Sequence, residues 1–61
     1  MRIRNYKVTQ AANIICIMFE DYPVKTWYKS DFSERKLQNA IRKLEKAAID
    51  NGMLARFERN F

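Results

Sequence analysis

The chain contains no histidine, one cysteine, one glycine and one proline. Each scarcity excludes something. Without histidine there is no side chain that ordinarily titrates near neutral pH, and a single thiol cannot complete a zinc site of the Cys/His kind. Cys16 has no partner for an intrachain disulfide and no histidine to activate it. It is expected to be a small core hydrophobe within IICIMF, and an unpaired buried thiol suits a reducing compartment. A phosphate-cradling loop needs several glycines, and no carboxylates are spaced for a metal. Glu20 and Asp21 read as solvated ends, and Thr26, Ser30 and Ser33 serve capping and turn roles. Neither catalysis, a cofactor nor a small-molecule substrate is therefore expected. No apolar run approaches the ~20 residues of a membrane span, and MRIRNYKVTQ is not followed by a signal-like apolar region ending in small residues. A cytoplasmic protein without membrane contact is expected.

What is present can build a core. Of the 61 residues 48% are hydrophobic, and one Trp, three Tyr and four Phe supply bulk. Residues 1–61 form one small domain. A chain of this size buries only about 60% of the surface it exposes when unfolded, so a partner subunit would help. Twelve Lys and Arg against seven Asp and Glu leave a charge of +5. That balance favours anionic partners: nucleic acid, an acidic protein surface or lipid headgroups.

The clearest local pattern is SERKLQNAIRKLEKAAIDNG. Leu37, Ile41, Leu44 and Ala48 recur at helical spacing, flanked by Ala40 and Ala47. Ser33 caps the start with Phe32 and Leu37 as a hydrophobic staple, or Asp31 caps it with Glu34 three residues on. Gly52 supplies the left-handed stop, with Met53 packing back. A helix over 33–51 follows. Thr9 is a second capping candidate, and Ala11, Ile15, Phe19 and Tyr22 share a face with Ile14 and Met18 beside them, predicting a helix over 9–22. The β-branched run at 14–19 leaves a buried strand as the alternative. Pro23 ends that element, and 23–32 connects as a strand or a loop. RIRNYKV (2–8) and the alternating 53–60 read as short strands. The fold class expected is small α+β, two main helices with strands at both termini. The alternative is mostly α, resembling a helix-turn-helix. A helix at 9–22 apolar on most sides implies a homodimer.

Two groups of residues carry the functional expectation. Arg35, Asn39, Arg42 and Lys46 form a stripe opposite the apolar face, with Lys36 and Lys43 beside it, and Arg2 and Arg4 add charge on the first strand. A helix fits a major groove ~12 Å wide, where Arg and Asn read base edges and Lys and Arg pair with phosphates. The same stripe is also the solvated back of any amphipathic helix. Lys25, Trp27, Tyr28 and Lys29 combine stacking surface with charge, as in single-strand binding or a protein-protein anchor; a lone Trp is also a common core plug. The function expected is a small DNA-binding transcriptional regulator of phage or plasmid type. The competing expectation is an inhibitor or adaptor that docks on a host protein.

From Ser33 through LEKAAIDNGMLARF the chain resembles the end of a winged-helix domain, where a recognition helix leads into a wing strand. The order strand, helix, helix is similar to that of ribbon-helix-helix dimers, with Arg2, Arg4 and Tyr6 in the place of groove-reading strand residues. The separate second helix and completed wing of the first family are missing, as is the usual connector glycine of the second. Neither likeness spans the chain or identifies it.

Overall fold

The computed structural model describes residues 2–61. In chain order they form β1 (Arg2–Gln10), β2 (Ile14–Phe19), β3 (Tyr22–Tyr28), α1 (Glu34–Asp50) and β4 (Met53–Arg59). One four-stranded sheet has the order β3-β2-β1-β4. β1–β2 and β2–β3 are antiparallel hairpins, whereas β4 runs parallel to β1. Because β3 and β4 occupy opposite edges and run the same way, α1 must cross one face of the sheet between them.

The expected helix over 9–22 is absent; those residues hold the end of β1, its turn, all of β2 and the start of β3. The two-helix architecture falls with it, as do the mostly α alternative and both family likenesses. The physical reason lies in IICIMF, whose two faces are both apolar. Ile15, Ile17 and Phe19 turn toward α1, while Ile14, Cys16 and Met18 turn to the other side. A strand apolar on both faces has no alternation to betray it, and its spacing mimics a helical arc. The turn added no signal either. Phe19 pairs with Tyr22 across a two-residue loop, Glu20-Asp21, in which Glu20 takes a positive φ of 55°. Such loops ordinarily carry Asn or Gly.

α1 starts as its sequence requires. Ser33 Oγ accepts from the Lys36 N–H at 3.2 Å, and Phe32 packs against the core. At the other end Gly52 adopts φ +72°, and the Asn51 side chain donates to the Ala47 carbonyl at 2.8 Å. Leu37 is 1% exposed against Tyr6, Val8, Ile15 and Ile17. Phe19, Tyr6 and Phe57 form an aromatic row across β2, β1 and β4, with centroids 5.6 and 4.8 Å apart. The opposite sheet face carries no further layer among the described residues. No helix there is long and apolar enough to cross a membrane.

One ion pair ties the layers at their rim: Arg59 of β4 grips the Glu34 carboxylate with both terminal nitrogens. Those hydrogen bonds are the main cause that holds the Glu34 carboxyl below its ordinary value; desolvation opposes them in part, and the Arg59 charge adds a smaller lowering. The carboxylate is the bound form, so the pair's contribution is complete above the ordinary Glu pKa and fades as pH falls through the lowered one. Glu34→Gln should therefore lower Tm near neutral pH, with the difference from the parent closing in acid. A Tm gap independent of pH would refute this role.

The turn yields a second expectation. Relieving the left-handed strain by Glu20→Gly should stabilise the domain by about 0.5–1 kcal/mol, roughly 2–8 °C in Tm. Calorimetry showing no rise, or a fall, would remove strain at Glu20 as a factor.

Candidate functional site

A break in the β2–β3 ladder shapes the functional face. Ile17 pairs with Lys25 but Met18 with Pro23, so Val24 is an extra residue in the edge strand. A bulge of this kind re-aims side chains. Its effect is to bring Val24 to the side occupied by α1, beside Lys25 and Trp27, although strict alternation would put it on the other face. Lys25 Nζ lies 5.6 Å from the Trp27 ring centroid. Trp27 itself is half-buried, its edge against Phe32 at 5.6 Å.

Across from this strand, α1 presents Lys36, Asn39 and Lys43. Together with Val24, Lys25, Trp27, Ala40 and Leu44 they line a groove of about 540 Å³ between α1 and β3. The floor is apolar and aromatic, and the rim carries three lysines. Lys36 is partly anchored, since its Nζ also donates to the Asp31 carbonyl. The acids of α1 lie elsewhere. Glu34 is bound to Arg59 on the β4 side, and Glu45, three turns further along, shares that flank by helical spacing. Asp50 lies in the last turn, outside the groove lining. The charge of the helix is therefore segregated: cationic toward β3, neutralised toward β4.

Of the residues singled out in the sequence, the groove unites Lys25 and Trp27 with Lys36, Asn39 and Lys43. Arg35, Arg42 and Lys46 are exposed on the adjoining back of α1. The others fall away. Arg2 and Arg4 pair with Met53 and Ala55 at the β4 side, and the Arg4 guanidinium lies 5.0 Å from the Phe19 ring centroid as a packing group. Tyr28 is 68% exposed but pairs with Ile14 on the opposite sheet face. Trp27 and Tyr28 thus point to opposite sides and cannot act as one anchor; Lys29 lies exposed just past β3. Sequence reasoning missed Val24, Ala40 and Leu44 as the floor. The hint lay in pairing IICIMF with PVKTWY about Glu20-Asp21.

Among the described residues no cluster of three His, Cys, Asp or Glu could hold a metal. Cys16 is buried and free, its Sγ 3.5 Å from Thr26 Oγ1. A second hollow of about 740 Å³ by the β2–β3 turn is lined by Lys7 and Arg56 but also by Glu20, Asp21 and Glu58, so it offers anions no net attraction. Comparison with known proteins finds no family model, no curated protein and no solved structure that matches the chain.

The single tryptophan reports on the groove directly. With Lys25, Lys36 and Lys43 around it, Trp27 fluorescence should be quenched more strongly by iodide than by caesium at low ionic strength. Lys25→Glu combined with Lys43→Glu should reverse that order. Equal quenching by both ions in the parent would mean that the rim charges do not set the local potential.

Proposed function

We propose that this chain is a non-enzymatic nucleic-acid-binding protein, a small regulator that holds duplex DNA with the cationic side of α1. The observation that carries the reading is the gathering of Lys25, Lys36 and Lys43 over Trp27 in one groove, continuous with the exposed Arg35, Arg42 and Lys46. Like charges held this close repel one another in the free protein, and a polyanion converts that repulsion into attraction. The lysines suit phosphates as point charges. Arg35 and Arg42 on the back of the same helix, with Asn39 at the groove margin, supply the side-chain types that read base edges in a major groove. Trp27 offers a ring to a sugar or base at the groove margin. A cytoplasmic setting is part of the reading, supported by the unpaired thiol of Cys16. A host protein gripped through residues 25–29 receives less support, because Trp27 and Tyr28 lie on opposite faces.

The test is affinity for a fluorescent duplex as a function of salt. Each phosphate neutralised contributes a slope of about −0.9 in log K against log salt. Arg42→Glu with Lys46→Glu should weaken binding and flatten the slope by about two units, and Lys25→Glu with Lys43→Glu should do likewise. Absence of binding at low salt, or an unchanged slope in both variants, would refute the proposal. If a stoichiometric acidic protein survives nuclease treatment in a pull-down while nucleic acid does not bind, the same face serves a protein.

A further inference from the structure

The two edges of the sheet are unlike. β3 is blunted by Pro23, by its bulge and by Lys25, devices that discourage a further strand. β4 has no proline and no bulge over Met53–Arg59. Its ladder with β1 fixes which backbone groups face outward. The Asn60 N–H donates to the Val8 carbonyl at 2.9 Å, so Asn60, and with it Glu58, Arg56 and Leu54, turn their amides and carbonyls toward β1. The N–H and C=O groups of Met53, Ala55, Phe57 and Arg59 then point away from the sheet, where no strand follows.

Side chains along this edge have a complementary pattern. Arg56 and Glu58 are both exposed on the sheet face opposite α1. The one ion pair among the described residues is Arg59–Glu34; neither Arg56 nor Glu58 is in one, although Lys7 of β1 stands in register with Glu58 on its inner side.

We propose that β4 pairs antiparallel with β4 of a second copy, about a two-fold axis at Phe57, with Arg56 of each copy facing Glu58 of the other. Backbone and charge select this register together. Centring the pair on Arg56 opposes two arginines, and centring it on Glu58 opposes two carboxylates. Centring on Phe57 places Arg56 and Glu58 at non-hydrogen-bonded positions, where opposed side chains approach closest. The outward groups of Ala55, Phe57 and Arg59 then form the ladder. On the helix side Phe57 meets its copy, so the row Phe19–Tyr6–Phe57 continues through the seam. A two-fold axis normal to the sheet sets both α1 helices on the same face, and the interface is isologous and closed. This inference does not depend on the nucleic-acid reading.

The test uses charge reversal at two exposed positions, with folding checked by thermal melts. In sedimentation at about 100 μM the parent should be dimeric, whereas Arg56→Glu and Glu58→Arg should each raise the dissociation constant at least about tenfold. Mixed in equal amounts, those two variants should associate with each other, since each supplies the charge the other lacks. The double variant Arg56→Glu/Glu58→Arg should dimerise like the parent. In the dimer the amides of residues 55, 57 and 59 should exchange slowly with solvent, and on dilution they should become fast. A parent that stays monomeric overturns the proposal. So does a dimer indifferent to both reversals, or one that leaves those amides unprotected; either would place the contact on the open sheet face or elsewhere.

Discussion

Leu37 inserts between Val8 and Ile17, and the three side chains are 1%, 1% and 0% exposed. Everything else in the molecule is arranged around that contact. One helix covers one face of one sheet, so the two layers meet only there and at the rim. Losing such a side chain to Ala costs about 2–5 kcal/mol. A chain this short has a total stability of only roughly 3–9 kcal/mol. The crossover depends on the same contact, because α1 must carry the chain from one edge of the sheet to the other before β4 can pair with β1. Without Leu37 seated, β4 would close a long loop with nothing beneath the helix to hold it.

The consequence for the surface is geometric. A single helix cannot cover four strands, and α1 leaves β3 uncovered along one side. That uncovered strip is the groove. In a larger domain another element would fill it with apolar side chains. Here it is bounded by Lys25, Lys36 and Lys43. Lys25 shares the face of Trp27 by ordinary alternation, and the bulge adds Val24 to that same face as part of an apolar floor.

These features were unequally legible in the sequence. α1 announces itself through Ser33, the Leu37–Ala48 periodicity and Gly52, because capping and burial there are local. β4 alternates visibly, since one of its faces is open. β2 did not, because Ile14, Cys16 and Met18 are apolar on the uncovered face and leave no polar beat to count. The hairpin was hidden for a separate reason: Glu20 holds a left-handed conformation that its side chain does not favour, so tertiary pairing overrode local preference. In the site, the outward stripe of α1 could be read from spacing alone. Which strand it faced could not, since that depends on the sheet order. The run KTWYK looked like one unit in sequence, yet a strand sends Trp27 and Tyr28 to opposite faces.

Charge placement links fold and function. The acid that faces β4, Glu34, is used structurally, clamping α1 to the sheet through Arg59. The cations facing β3 make no ion pair with the sheet, and Lys36 donates only to the Asp31 carbonyl. Lys43 makes no ion pair among the described residues, nor does Lys46 on the adjoining back of α1, and Lys25 lies over a ring face. A sequence selected for stability alone would interleave opposite charges there, as it does across Lys7 and Glu58 on neighbouring strands. Keeping one flank uniformly cationic raises the free energy of the isolated protein. That excess is recovered only when an anion enters the field, which makes the unbalanced flank, and not the net charge of +5, the feature that points to a polyanionic partner.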